Sequence, residues 1–330
     1  MSYRGQRVLV TGADGFIGSH LTERLVREGA RVRAFCLYNS KGSLGWLDHV
    51  PDDIRTSLDV ALGDVRDARF VETSCKDIEI VFHLAALIAI PYSYQAPESF
   101  IDTNICGTLN VLEGARRSGV ARLVQTSTSE VYGTPATLPI RESHPLNAQS
   151  PYAATKVAAD QLALSFHRSF GTPVMVLRPF NTYGPRQSTR AVTATILSQL
   201  LDGKKEVRLG RLDTRRDLTY VSDVVDGYLR AGVTLAIEGT VIQLGTRRSV
   251  SVSELFETSC RVLGVQARVC QDPRRLRPDS SEVLVLESDP SLAEQTLGWR
   301  ASIGLEEGLG LTADWMRRNR EHYRPDFLYA

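Results

Sequence analysis

The chain has almost no net charge: 39 basic side chains face 38 acidic ones, a formal +1. Nucleic acid and anionic membrane surfaces both select for a basic excess, so neither is expected as a partner. Cysteine is sparse. Cys36, Cys75, Cys106, Cys260 and Cys270 are odd in number and never spaced Cys-x-x-Cys. That excludes a disulfide framework and a zinc ribbon, and predicts reduced, mostly buried thiols. The six histidines show no ligand spacing, so no metal is expected. No apolar run reaches transmembrane length, and the first residues lack the apolar stretch of a secretion signal, which predicts a cytoplasmic protein. Internal repeats and low-complexity linkers are absent as well. What remains is 330 residues with 42% hydrophobic content, enough to bury a large core in two lobes.

The first motif lies near the N-terminus. Val8-Leu9-Val10 reads as a buried parallel strand. Thr11-Gly12-Ala13-Asp14-Gly15-Phe16-Ile17-Gly18 follows at once, and helical spacing covers 19–28. The glycines form a G-x-x-G-x-x-G variant of the dinucleotide fingerprint. Gly12 allows the tight turn, Gly15 lets a pyrophosphate approach the backbone, and Gly18 allows close helix–strand packing, with Phe16 and Ile17 on the same loop. The helix N-terminus then turns free N–H groups and a positive dipole end toward the phosphates. Strands at 31–37, 57–63, 80–83, 122–126, 173–178 and 240–244 are interleaved with helices at 98–118 and 151–170. This predicts an α/β fold, a doubly wound parallel sheet with right-handed crossovers. Beyond Pro179 the pattern turns irregular, with helices at 252–263 and 305–319, and predicts a smaller α/β C-terminal lobe over a substrate. The expected division is 1–178 with about 217–249 for the dinucleotide domain, and 179–216 with 250–330 for the substrate lobe.

A second motif carries chemistry. Ser127-Thr128-Ser129-Glu130 precedes Tyr152-Ala-Ala-Thr-Lys156. Tyr-x-x-x-Lys sets a phenol and an ammonium one helical turn apart on one face. A nearby cation favours the phenolate, so Tyr152 can take a proton well below its free pKa of about 10. Thr128 offers a hydroxyl to a substrate oxygen. Glu130 adds a carboxylate that a simple alcohol dehydrogenase does not need. The set points to an oxidation followed by proton abstraction from carbon.

Thr11–Gly18, Gly63-Asp64-Val65-Arg66-Asp67, His83-Leu84-Ala85-Ala86, Asn104, Tyr152 with Lys156, the run 178–186 and the run 216–223 resemble the extended short-chain dehydrogenase/reductase family along essentially the whole chain. Within it the chain looks most like nucleotide-sugar 4,6-dehydratases, including GDP-mannose 4,6-dehydratase. The segments 32–40, 89–94 and 275–278 resemble the branch acting on nucleotide-activated N-acetylglucosamine in legionaminic-acid pathways. The resemblance implies a Rossmann domain holding NAD. Asp64 and Val65 would lie at the adenine, and Leu84, Ala85 and Ala86 beside the nicotinamide-side ribose and phosphates. The second strand departs from the pattern. NAD enzymes usually end it with an acid that bonds the ribose 2′-OH. Here it runs into Tyr38-Asn39-Ser40-Lys41. Asn39 or Ser40 could bond the ribose, Lys41 could meet a 2′-phosphate, and NADP is the alternative cofactor.

The resemblance also implies a cycle on a nucleotide-diphosphate sugar. Tyr152, held ionised by Lys156, takes the O4 proton as hydride leaves C4, with Thr128 orienting O4. Glu130 takes the C5 proton, the C6 hydroxyl leaves as water, and the hydride returns to C6. Many deoxythymidine-diphosphate-glucose dehydratases carry an Asp where this chain has Ser129, so either Glu130 or Ser129 delivers the proton to the leaving hydroxyl. Asn181, Arg190, Arg216 and Arg277 are expected on the substrate, the guanidinium being suited to bidentate phosphate binding. His83, ending a buried strand, reads as structural. Helices 98–118 and 151–170 resemble the pair that forms an intermolecular four-helix bundle, and Leu109, Val111, Leu112, Val157, Ala158 and Leu162 supply apolar surface for a homodimer. Other readings compete: a UDP-glucuronate decarboxylase shares the Thr-Ser-Glu and Tyr-x-x-x-Lys set, a 4-epimerase needs no Glu130, and a dinucleotide-sensing protein needs none of the three reactive groups. The apolar, aromatic segment 89–94 favours a neutral hexose over a uronate.

Overall fold

The structure, a computed structural model, describes residues 3–323. Ten strands come first in the chain: β1 (Arg7–Thr11), β2 (Arg31–Leu37), β3 (Asp59–Gly63), β4 (Ile80–His83), β5 (Arg122–Thr126), β6 (Val174–Pro179), β7 (Asn181–Tyr183), β8 (Glu206–Leu209), β9 (Arg215–Tyr220) and β10 (Val241–Leu244). Seven of them form one parallel sheet in the order β10-β6-β5-β4-β1-β2-β3, the doubly wound architecture expected from the alternation. The order reverses between β1 and β4, so their C-terminal ends open a crevice where such sheets bind ligands.

Period-two burial explains the two cores. Val8, Val10, Phe82, Val124, Met175 and Leu177 face one side with helices Phe16–Arg27 and Val221–Val233. Leu9, Val81, Leu123, Val174 and Val176 face the other, with helices Ala68–Cys75, Gly107–Ser118 and Pro151–Phe170. The first core continues into the C-terminal region through Leu255, Trp299, Leu309 and Met316. Trp299 donates to the Asp223 carbonyl at 2.8 Å, and the Asp223 carboxylate accepts from Ser302 and Ile303. Three further strands, β11 (Ser249–Ser251), β12 (Arg268–Gln271) and β13 (Val285–Leu286), complete the smaller sheets. β9 is the centre of the four-stranded one, pairing with β7 at one end and with β11 and β13 at the other, while β12 pairs with β8 in a separate two-stranded sheet.

Three expectations need correction. The helix predicted over 98–118 is broken into Pro97–Phe100, a π-helical turn at Ile101–Cys106, and Gly107–Ser118. The wider turn accompanies an anchor at Asn104, whose side chain bonds Leu87 N (2.8 Å), Leu87 O (2.9 Å) and Thr155 Oγ1 (3.0 Å). Val111 and Leu112 are not spare apolar surface: both are fully buried between the sheet and helix Ala68–Cys75. Leu109 remains 39% exposed. Among the thiols only Cys36 and Cys75 are buried, whereas Cys106 and Cys270 are exposed at the end of the π turn and on an edge strand.

One buried ion pair ties the strand ends together. Asp160 Oδ2 accepts from Arg178 Nη2 (2.8 Å) and Nε (3.1 Å) and from Ser127 Oγ (2.7 Å), with the two ionic side chains 0% and 2% exposed. Removing one partner of a buried pair typically costs about 3–5 kcal/mol, because the other charge is left uncompensated. Asp160→Ala should therefore lower unfolding free energy by about that amount in chemical denaturation, against about 1 kcal/mol for Ser127→Ala. Equal effects of the two changes would count against a central role for the pair.

Candidate active site

The glycine loop is built by close approach. Gly12 has φ +69°, and a Cβ there would lie 2.8 Å from Ala85 N. A Cβ on Gly18 would come within 2.0 Å of Gly12 O. Gly15 caps helix Phe16–Arg27 with no side-chain cap and no acid in the first turn, so the first N–H groups face the crevice unneutralised. Phe16 and Ile17 begin that helix and pack against the first core. Ala85 N donates to Thr11 Oγ1 (3.2 Å), which bonds His83 Nδ1 (2.7 Å), and His83 Nε2 reaches Thr108 Oγ1 (3.1 Å). Burial pushes His83 down to about 3, so it bridges β1 and the Gly107–Ser118 helix as a neutral ring. Leu84, Ala85 and Ala86 follow β4 directly beside Gly12. This cradle, which a Cβ would fill, fits the pyrophosphate of a dinucleotide.

The adenosine side is less open than expected. Asn39 Oδ1 accepts from Lys41 N (3.1 Å) and Ser43 N (3.2 Å), and its amide donates to Ser43 O (2.7 Å). Its side chain thus closes its own turn, leaving Ser40 and Lys41 exposed. Asp64 is bound by Arg66, whose guanidinium holds the carboxyl below its usual range. Val65 is buried against Gly107.

Thr128, Tyr152 and Lys156 meet at the ends of β5 and the Pro151–Phe170 helix. Ser150 caps that helix and Pro151 opens it, which sets Tyr152 on its first turn. Thr128 caps the short turn Ser129–Tyr132, accepting from Glu130 N (3.3 Å), and its hydroxyl lies on the side of the Tyr152 phenol, where it favours ionisation. Burial raises Tyr152 above its usual value, with the Thr128 hydroxyl opposing. Burial lowers Lys156 to about 8, with Asp160 opposing. The Lys156 ammonium donates to Thr126 O at 2.6 Å. The lysine thus lies on a carbonyl, and burial favours the neutral phenol at Tyr152. Ile90, Phe100 and Tyr152 form one apolar cluster with Leu87 and Tyr94.

A charged arm extends from this centre. Ser129 is buried, and Glu130 Oε1 lies 4.0 Å from Arg216 Nε. Arg216 Nη2 binds Glu282 Oε1 at 3.2 Å, and Arg277 Nη1 approaches the same oxygen at 3.5 Å. Asn181 Oδ1 is buried without a hydrogen-bond partner. The structure thus brings Arg216 and Arg277 together, whereas Arg190 is exposed and, among the described residues, bonds Ser188. Sequence reasoning missed Glu282 and the tether of its loop, Tyr94 Oη to Ser281 Oγ at 2.6 Å. It also missed Asp160, although a carboxylate four residues after Lys156 falls on the same helix face.

Residues 9–312 match the family described as GDP-mannose 4,6 dehydratase. A putative UDP-glucose 4-epimerase of Methanocaldococcus jannaschii is 31% identical over 317 residues, covering 94% of this chain and 99% of that protein. UDP-glucuronic acid decarboxylase 6 of Arabidopsis thaliana is 33% identical over 332 residues, covering 94% and 89%. A solved dTDP-glucose 4,6-dehydratase of Streptomyces venezuelae with NAD bound is 29% identical with a TM-score of 0.84, covering 97% and 99%. With the glycine cradle, the parallel sheet and the whole-length match in agreement, the chain belongs to the GDP-mannose 4,6 dehydratase family, among the extended short-chain dehydrogenase/reductases.

Proposed function

We propose that the chain is a nucleotide-sugar 4,6-dehydratase with NAD as resident cofactor. Its substrate is a nucleotide-diphosphate hexose, N-acetylglucosamine by the nearer resemblance, and its product the 4-keto-6-deoxy sugar. The observation that supports this most is Glu130. It lies two residues from Thr128, whose hydroxyl accepts from its N–H, its side chain is only 12% exposed, and Arg216 stays 4.0 Å away. An epimerase needs no base there.

The chain's own groups divide the work. Tyr152 takes the O4 proton, and Thr128 fixes O4 and then polarises the ketone. Glu130 takes the C5 proton that the ketone has acidified, and Glu130 or Ser129 hands a proton to the departing C6 hydroxyl. Bound NAD supplies the hydride acceptor at C4 and the donor at C6. Arg216, Arg277 and Asn181 hold the diphosphate and sugar, and the Ile90–Phe100–Tyr94 cluster covers a neutral hexose. A second reading, uronate decarboxylation, draws on Arg216, a guanidinium close enough to the base to receive a C6 carboxylate.

A homodimer through helices Gly107–Ser118 and Pro151–Phe170 belongs to the same proposal, with exposed Ile101, Leu109 and Phe170 as its apolar surface. Light scattering of the purified protein should give the mass of two chains, and a monomer at micromolar concentration would remove this element.

Tyr152→Phe and Glu130→Gln should fail at different steps. Tyr152→Phe removes the first base, so a substrate deuterated at C4 should be recovered unchanged. Glu130→Gln should slow elimination by about 10²–10⁴-fold. The sugar recovered after quenching should then have lost its C4 label as the 4-ketone. Identical behaviour of the two variants would defeat this division of labour.

With the unaltered protein, a panel of nucleotide sugars read by mass spectrometry separates the chemistries. Loss of water with C4 deuterium reappearing at C6, and C5 deuterium exchanged with solvent, is the expected result. Loss of carbon dioxide would establish the decarboxylase, and an isomer of unchanged mass the epimerase.

A further inference from the structure

We propose that Glu282 is a resident counter-ion that stands in for the substrate's diphosphate and is displaced when substrate binds. This rests on the nucleotide-sugar reading of the Arg216 and Arg277 site. The two guanidiniums converge on a single oxygen, Glu282 Oε1, at 3.2 and 3.5 Å. The side chains are 10% exposed for Arg216, 27% for Arg277 and 9% for Glu282, so water screens this cluster poorly. Two sheltered cations side by side repel unless an anion lies between them. Glu130 cannot serve as that anion, because it approaches only Arg216, and only to 4.0 Å.

Glu282 is held in place by its loop rather than by its own carboxylate. Ser281 Oγ bonds both Tyr94 Oη (2.6 Å) and Gln149 O (2.6 Å), and Gln149 Nε2 donates to Ser280 O (3.0 Å). The backbone is therefore anchored, while the carboxylate engages the arginines through one oxygen only. Arg277 Nη1 is buried yet makes no hydrogen bond of good geometry, so the cluster is neutralised but not fully satisfied. A diphosphate offers several oxygens and can engage both forks at once, which a single carboxylate oxygen cannot. It should win the exchange and turn the Glu282 side chain aside while the anchored loop stays put.

The exchange has a measurable cost. A ligand that must displace a resident group binds more weakly by the fraction of protein already free of it. Neutralising that group should raise affinity, whereas removing a residue that touches the ligand should lower it. The test is calorimetric titration of the full chain, as purified, with UDP, GDP and dTDP as probes. Thermal melting with and without the tightest of the three accompanies it. Glu282→Gln should bind that probe about 5–10-fold more tightly than the unaltered protein. It should melt lower when free and close that gap at saturating probe, because the ligand supplies the missing charge. Glu282→Asp, which keeps the charge, should stay within about twofold of the unaltered protein. Unchanged or weakened binding in Glu282→Gln would overturn the proposal and leave the nucleotide-sugar reading standing. Failure of the unaltered protein to bind any of the three would instead overturn that reading, and this proposal with it.

Discussion

Asp160 Oδ2 accepts from Ser127 and from two nitrogens of Arg178 at a depth where neither ion reaches water. Such a pair is held best when its other polar atoms are also met: those of Arg178 are, while Asp160 Oδ1 is left without a partner. Arg178 Nη1 donates to Tyr132 Oη (3.0 Å), Tyr132 donates to Gln243 Oε1 (2.9 Å), and Gln243 Nε2 reaches Ile140 O (2.5 Å) and Asp289 O (2.9 Å). The chain of bonds starts at the residue preceding Thr128 and crosses β6 and β10. It ends beyond β13, on the C-terminal side of the Glu282 loop. Thr128, Ser129 and Glu130 project from a segment clamped at both of its ends, at Ser127 and at Tyr132. The turn that carries Thr128, Ser129 and Glu130 is thus steadied by a buried charge pair.

The same burial sets the protonation of the reactive pair. It raises Tyr152 and lowers Lys156 to about 8, so the two groups are driven away from a phenolate–ammonium pair rather than toward it. Desolvation penalises every charged form, and Thr128 opposes it only in part. Glu130 and Asp160 add negative potential and push the phenol further up. A phenolate at Tyr152 would gain from a further positive charge in the crevice, which an oxidised nicotinamide would supply.

What could be read from sequence was local. Gly12, Gly15 and Gly18 declare themselves because their constraint lies mostly within one strand–turn–helix unit, and Tyr152 and Lys156 because four residues make one helical turn. Asp160 obeys the same spacing, but its meaning comes from Arg178 on a neighbouring strand. Glu282 was invisible for a stronger reason: its nearer partner, Arg216, lies 66 residues away in the chain and reaches it only through β9. The π turn escaped because apolar spacing assumes 3.6 residues per turn, while Asn104 is held by Leu87 and Thr155 from outside its own helix. Val111 and Leu112 looked like excess apolar surface until helix Ala68–Cys75 was seen to pack there, close enough that a Cβ on Gly114 would touch Cys75 Sγ at 3.2 Å.

The glycine loop, Tyr152 and Lys156 are written in contiguous motifs and anchored in the parallel sheet. Glu130, Arg216 and the 277–282 loop, to which the proposed function assigns base and substrate contacts, converge from three separate segments. Each can change its charge or reach without disturbing a strand of the main sheet. An epimerase and a decarboxylase at 31% and 33% identity can then share this chain's length almost end to end. In the proposed function, the Glu130 and Glu282 carboxylates flanking Arg216 decide whether that guanidinium is already neutralised or is free to hold a further anionic group on the substrate.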